Sequence, residues 1–579
     1  MDYTERVFSR PPRSIDRAIL VDADAPNAPN RSISWRKYAS LVKRIAIGLR
    51  ERGLKPGECV TLLSTNNVYY WVFGDGVIAA GGIFCGMPMI NNHDVDLLAS
   101  NLKVTGAKWL FVESDCMPLA SGWMSSADYS PANAPEVYFF DPPGYPDTTN
   151  GEAFAGKENI KGSFTDLLAS DEKLWDTIDR KDCAPPSERI AWRMFTSGTT
   201  SGLKTVEITH KQLIARIDAE DFVPMQGLDR CQLQYIHLSI ASGQMICQRA
   251  AAGYLAAYVS RYDDAQSIID TIYHCQISVV QLTPRVMEHL TAALQKEENP
   301  TSKLNSLNHA LVGGAISYKY LVEKFAALLP THTYLRPGYG QTEAGLIALA
   351  PPGHSTLWYD KGLCGAIVPG VEVRILDYET AQDIPSENEG EICVRSAWTF
   401  ERYYENPAAN EKTFMADPNG GDKWVRTGDC GYFDKSTGQL ILTGRFNEAF
   451  MYSNMRVIPS DVEAALTEYM QGAIYDVAVT SSRMHGHEGD ERLITYVVRK
   501  NEQDTVKPVD IHGFVAAWVV RARRFASVKP PKGSVVFVES IPRNAMSKIV
   551  RRKLPELKPL EGSEMDVILE SDFYKVVKN

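Results

Sequence analysis

From Phe195 to Thr205 the chain reads Phe-Thr-Ser-Gly-Thr-Thr-Ser-Gly-Leu-Lys-Thr: six hydroxyl side chains, two glycines and one lysine. This set suits a triphosphate. Gly198 and Gly202 let backbone N–H groups approach oxygens closely, Thr196, Ser197, Thr199 and Thr200 offer further donors, and Lys204 supplies a positive charge. A flexible surface turn of the same composition is the plain alternative. The nucleotide-hydrolase pattern GxxxxGK[ST] does not fit. Three residues separate Gly198 from Gly202, and Leu203 stands between Gly202 and Lys204.

Such a loop needs rigid flanks. Ile190–Phe195 is rich in aliphatic and aromatic residues, and Val206-Glu-Ile208 resumes an apolar alternation, so strand, tight loop, strand is expected. Upstream, Ile33–Leu49 has helical periodicity with Ser34 as a candidate cap, and Glu58–Leu63 reads as a strand. Residues 66–115 alternate strand and helix, which predicts a parallel sheet. Residues 126–162, rich in Pro, Gly, Asn and Asp, predict a long surface loop. Ile277–Leu282 is a strand, and Thr283-Pro284 opens an amphipathic helix through Leu294. Ala310–Ala315 is a strand ending in Gly313 and Gly314, where a flat ligand can approach the backbone. Ser460 and Glu463 are spaced as a capping box. Leu493–Val498 and Gly533–Val538 are the clearest late strands. The fold class is α/β, in αβ layers.

The length of 579 residues allows about three to four domains or subdomains. A net charge of −10, with no basic stripe, argues against nucleic acid as the main partner. The ten cysteines are scattered, with no CxxC pair, as in a reduced intracellular protein. The N-terminus carries both charge signs before any apolar run, so no signal peptide is expected. The most apolar window, Trp71–Ile90, holds Asp75, five glycines and Pro88, which favours a buried helix and turn over a membrane span. A cytoplasmic location follows.

Four more segments stand in order behind the hydroxyl loop. They are Tyr339-Gly-Gln-Thr-Glu343, Thr427-Gly-Asp429, Leu442-Thr-Gly-Arg445, and a basic run from Pro542-Arg543 through Lys548, Ile549 and Arg551 to Leu554. Together with Phe195–Thr205 they resemble the motifs of adenylate-forming enzymes, the superfamily of acyl-CoA synthetases, peptide-synthetase adenylation domains and luciferases. The likeness is closest to AMP-dependent acyl- and aryl-CoA ligases of the 4-coumarate–CoA ligase kind. Departures are visible: Gly202 is displaced by one, Thr205 and Ser547 replace glycines, Met451 replaces a lysine, and Asn454 replaces a glycine.

The resemblance implies a large N-terminal adenylation domain, residues 1–445, and a small mobile C-terminal domain, residues 446–579, hinged at Asn447. It implies ATP, Mg²⁺ and CoA. Tyr339, Gly340 and Gln341, with Gly314 and Ala315, would border adenine. Thr342 would bond the α-phosphate, Glu343 would offer oxygen to Mg²⁺, and Asp429 would accept both ribose hydroxyls beside Arg445. Lys548 would neutralise the transition state, with Lys204 on the leaving pyrophosphate. Gly313 and the segment Ile236–Gly243 would line the acyl pocket. Either His237 or Ser239 aligns with the family histidine there, and His237 reads equally as a satisfied buried histidine. The stretch is apolar and small, which favours an apolar aromatic or aliphatic acid. Asn454 would line the thiol tunnel. Its side chain, with Met451, keeps open an acceptor other than CoA: an amine, an alcohol, or a carrier-protein thiol supplied in trans. A non-enzymatic binding relative is a third reading, against which the set Glu343, Asp429, Arg445 and Lys548 stands.

Overall fold

The computed structural model describes the chain except residues 89–93, 128, 147–158, 178–183, 197–203, 220–229, 316, 318, 352–361, 379, 418–419, 422, 453–454, 471–472, 482–491, 501–505, 522–531, 544–548 and 568–579. Two large sheets dominate the first 445 residues. One runs, in spatial order, through Arg402–Tyr403, Thr205–Thr209, Ile190–Phe195, Ile83–Gly86, Cys59–Leu63, Ala107–Glu113, Glu136–Phe140 and Ile160–Ser163. Its centre is parallel, and Cys59–Leu63 is buried at every position, as a strand covered on both faces must be.

The second sheet changes character along its width. Ala18–Asp22, Ala256–Val259, Cys231–Gln234, Val279–Leu282 and His309–Val312 lie parallel, ending on Tyr334–Gln341. From there the neighbours turn antiparallel: Gly345–Leu349, Leu363–Ile367, Leu440–Arg445, Trp424–Phe433, Gly390–Ser396 and Val371–Leu376.

Helix Val68–Ala79 is buried along its whole length and has no polar face. Helix Trp35–Glu51, capped by the Ser34 side chain, packs along it. The two approach closely because Gly76 has no side chain: a Cβ there would sit 2.4 Å from Ile45.

Past Arg445 the chain forms the two-stranded Phe450–Tyr452/Met455–Val457 unit and a four-stranded sheet of Ile474–Ser481, Arg492–Arg499, Lys532–Phe537 and Glu564–Val567. Phe450, Val462, Leu466, Val479, Ile511, Val515 and Val535 share a separate apolar core there.

Two sequence expectations give way. Residues 126–162 are not one long loop: Glu136–Phe140 and Ile160–Ser163 extend the first sheet, because Val137, Tyr138 and Phe140 supply enough buried surface to hold an edge. The capping box at Ser460 is absent. The helix begins at Pro459 with Ile458 in the cap position, and the Glu463 carboxylate turns inward to Val479 N–H at 2.7 Å.

Candidate functional site

The end expected to take ribose is set by strand register. Asp429 on Trp424–Phe433 lies opposite Arg445 on Leu440–Arg445, and their side chains pair at 3.2 Å. Asp429 is only 3% exposed. Tyr339 donates its hydroxyl to the same carboxylate at 2.7 Å. Burial, then the Asp429 charge, holds the Tyr339 phenol well above its ordinary pKa, so it stays a donor. Gly340 is required by space: a Cβ would lie 2.5 Å from the Gly345 carbonyl. Gly313 and Gly314 close the strand His309–Val312, and Gly314 takes φ +86°, a left-handed conformation that suits glycine.

Two cavities meet here. The larger, about 820 Å³, is lined by Thr196, Lys204, Gly313, Gln341, Thr342 and Glu343 among others. The smaller, about 250 Å³, is lined by Ala315, Asp429 and residues of both large and small units. Gly314, Tyr339, Gly340, Arg445 and Arg543 belong to both walls.

At the phosphate side, strands Ile190–Phe195 and Thr205–Thr209 form the expected hairpin, closed by Thr196 N–H to the Lys204 carbonyl at 2.9 Å. Ser197, Gly198, Thr199, Thr200 and Gly202 lie outside the described residues. Lys204 Nζ stands 5.2 Å from the Tyr403 ring centroid. The Tyr403 hydroxyl donates to Glu343 at 2.9 Å. Arg216, buried in helix His210–Asp218, donates to the carbonyls of Thr342 and Trp398, each at 3.2 Å. Burial lowers its pKa to about 10, against the pull of Glu343, so it remains a cation.

Ser239 is among the residues lining the larger cavity and His237 is not. His237 Nε2 lies 3.0 Å from the Ser64 carbonyl, so that nitrogen carries the proton. Nδ1 then accepts from Ser239 N–H at 3.2 Å and from its hydroxyl at 2.7 Å. Burial lowers the imidazole to about pKa 4, which keeps it neutral. Asn66 holds the same segment. Its amide donates to the carbonyls of Tyr235, Ile236 and Ser260 and accepts from Leu238 N–H, at 2.8–3.2 Å.

The small unit reaches the larger cavity through Arg543, Val550, Arg552 and Lys553. Asn447 lies in the short turn Phe446–Glu448. Lys548 and Asn454 lie outside the described residues. Sequence reading missed Tyr403, Arg216 and Asn66. Tyr403 stands on the short strand Arg402–Tyr403. Arg216 and Asn66 carry no local signal.

The sequence model described as "AMP-binding enzyme" matches residues 9–404. Among curated proteins, the phenylacetyl-CoA ligase epaB of Aspergillus niger is 28% identical, covering 96% of both chains. The 4-coumarate–CoA ligase-like 1 of Arabidopsis thaliana is 27% identical over 90% of this chain and 89% of its own. In three dimensions the chain is similar to the amide bond synthetase McbA from Marinactinospora thermotolerans, with TM-score 0.73 and 23% identity over 96% and 99% of the two chains. That likeness speaks to the fold, which is the α/β architecture of adenylate-forming enzymes. With two thirds of its length matched, the chain belongs to the family of AMP-binding enzymes.

Proposed function

We propose that the chain is an ATP-dependent carboxylate–CoA ligase that forms an acyl-AMP and then an acyl-CoA. One observation carries this reading: the two cavities share Gly314, Tyr339, Gly340, Arg445 and Arg543, so an acid in one and a nucleotide in the other meet at a common wall.

The adenosine moiety occupies the smaller cavity, with its ribose hydroxyls on Asp429. Arg445 and Tyr339 already bond that carboxylate, which fixes its position before the nucleotide arrives. The substrate carboxylate attacks the α-phosphorus in line. The new O–P bond forms as the bond to pyrophosphate breaks. Charge on the phosphoryl oxygens is met by Thr342 and Lys548, and Lys204 with the hydroxyl loop faces the departing pyrophosphate. In the second step the CoA thiol attacks the acyl carbon, the C–S bond forms, and AMP leaves. Rotation of residues 446–579 about Asn447 exchanges Lys548 for the segment with Asn454. The separate core of the small unit supports that boundary.

Magnesium fits the donor set. Mg²⁺ prefers one or two carboxylates plus phosphate oxygens and water. Glu343 offers one carboxylate, oriented by Tyr403, and no cluster of three or more ligating side chains stands among the described residues. Glu343 would hold the ion, which supplies charge neutralisation on the triphosphate when bound.

An apolar aromatic or aliphatic acid is the favoured substrate class, accommodated beside Ala241, Met245, Leu346 and Gly313. Among the described residues no helix is long and apolar enough to cross a membrane, and the nine described cysteines are free, which supports a reducing, cytoplasmic setting. Met451 and Asn454 favour a second reading, in which the acyl group passes to an amine, an alcohol or a carrier-protein thiol in trans.

Pyrophosphate release and product mass, measured with Mg-ATP and a panel of apolar acids with and without CoA, test this. An acyl-CoA mass is expected. Adenylate that accumulates while CoA is ignored would move the assignment to the second reading.

A further inference from the structure

A buried carboxylate that the proposed mechanism does not use lies a few bonds from the acyl wall, the stretch from Tyr235 to Ile240. Glu113 ends strand Ala107–Glu113 and is 2% exposed. A carboxylate in such a place needs a counter-charge and a full set of donors. Arg261, shortly past strand Ala256–Val259 of the second sheet, donates to Oε1 of Glu113 and also to Asp115 at 3.1 Å. Oε2 accepts from the Ser64 hydroxyl at 2.9 Å, the Thr65 N–H at 2.7 Å and the Thr65 hydroxyl at 2.6 Å. Ser64 and Thr65 directly follow strand Cys59–Leu63, so Glu113 ties a strand end of the first sheet to one of the second.

The Thr65 N–H and the Ser64 carbonyl belong to one peptide group. A trans peptide is planar, and its N–H and C=O point in opposite directions. Glu113 holds the N–H end at 2.7 Å, and His237 Nε2 donates to the C=O end at 3.0 Å. The carboxylate and the imidazole thus share one rigid plane. A carboxylate on the N–H also polarises the group and strengthens its carbonyl as an acceptor. From His237 the path is short: Nδ1 accepts the Ser239 hydroxyl at 2.7 Å, and Ser239 lines the larger cavity. Every step from Glu113 to the cavity is a hydrogen bond of ordinary length or a covalent plane.

We propose that Glu113 is a positioning residue for the acid: through the Ser64–Thr65 peptide and His237 it sets where Ser239 stands in the acyl wall. This rests on the ligase reading above, in which that wall meets the acid. Glu113 is not among the residues lining either cavity, so its effect on the acid travels through its neighbours. Buried pairs are costly to break, and Glu113→Gln weakens the one with Arg261. Thr65→Val is the gentler variant. It takes one hydroxyl from Glu113 and leaves the Arg261 pair and the Ser64–Thr65 peptide in place.

The test uses the full chain with both variants and ATP–pyrophosphate exchange. The KM for the acid should rise about fivefold in Glu113→Gln and about threefold in Thr65→Val, with the KM for ATP within about 1.5-fold of the parent. In a Ser239→Ala background the Glu113→Gln effect should shrink below about 1.5-fold, because the path ends at that hydroxyl. An unchanged KM for the acid, a parallel rise in the KM for ATP, or a full effect in the Ser239→Ala background overturns the proposal. A readout free of the acid is backbone hydrogen exchange of residues 235–240. Both variants should exchange faster there than the parent, with strand His309–Val312, which borders the same cavity, unchanged. Equal exchange, or faster exchange that extends to that strand, overturns the proposal. Faster exchange confined to residues 235–240, where even the parent adenylates no acid, upholds the link and overturns the ligase reading instead.

Discussion

The ribose end and the acyl wall adjoin, yet they are built in different ways. At the ribose end every partner stands on a strand of one sheet. Asp429 faces Arg445 in register, and Tyr339 reaches Asp429 from Tyr334–Gln341, three strands beyond Arg445. The acyl wall from Tyr235 to Ile240 has no strand of its own. Side chains hold it: Asn66 from one direction, and the His237–Ser64 and His237–Ser239 bonds from another. In the proposed ligase the nucleotide, common to every turnover, would be read by backbone register. The acid would meet a segment that a few side-chain bonds hold, which can be re-aimed without disturbing a sheet.

The largest effect should come from breaking the ribose end. Asp429→Asn removes the charge that Arg445 pairs with and weakens the acceptor for Tyr339. Charged hydrogen bonds of this kind are worth about 1.5–3 kcal/mol each. ATP–pyrophosphate exchange should fall by roughly a hundredfold, with weaker ATP binding in calorimetry. A change under about threefold would mean that Asp429 does not meet the nucleotide. Next in size is Asn66→Ala, which removes three bonds from the acyl wall, to Tyr235, Ile236 and Leu238, and a fourth to Ser260. The KM for the acid should rise about tenfold while that for ATP stays within about twofold. If both rise together, the two sides are not built independently. Smaller again is Ser239→Ala. It leaves Asn66 in place but takes one bond from His237, and a shift of a few-fold in preference between acids of different size is expected, read by competition between two acids.

How far this contrast was legible in the sequence follows from the same physics. Tyr339, Asp429 and Arg445 announce themselves because a register-built site needs particular residues at particular strand positions, and short motifs record that. The helix start at Thr283-Pro284 is likewise local chemistry, and the Thr283 side chain does cap it. The acyl wall is not local. Asn66 and Tyr235 are 169 positions apart, and nothing near either residue betrays the bond. For the same reason, spacing alone leaves His237 and Ser239 as alternatives: both lie on one short segment, and the Ser64 carbonyl that His237 bonds comes from another strand end. Glu463 misled in the opposite direction. Its spacing from Ser460 suits a cap, but the distant Arg551 offers the carboxylate two charged bonds, a stronger claim than a backbone N–H at a helix end.

The last prediction concerns stability and how the acyl wall is supported. The Tyr70 ring meets His237 edge-on, and Tyr70 belongs to the buried helix Val68–Ala79, which also carries Asp75. Burial raises Asp75 to about pKa 7, although Tyr38 donates a hydrogen bond to it. Folded Asp75 therefore keeps a proton that the unfolded chain releases near pH 4. Between those values the native state binds more protons than the unfolded one, so this group's contribution is present below about pH 4 and lost as pH rises towards 7. His237 has the opposite sign. Its folded pKa of about 4 lies below the ordinary value of 6.5, so its contribution is lost as pH falls from 6.5 towards 4. Differences in melting temperature between variant and parent isolate each group. Asp75→Asn should gain on the parent as pH rises from 4 to 7, by at most about 1.4 kcal/mol per pH unit. His237→Gln should lose ground on the parent over pH 4 to 6.5 as pH rises. The ribose end offers a control: Tyr339→Phe should show no slope relative to the parent in this window, because its phenol is a donor throughout. If Asp75→Asn runs parallel to the parent across the whole range, the helix behind the acyl wall carries no titrating charge, and the two sides differ in geometry but not in electrostatics.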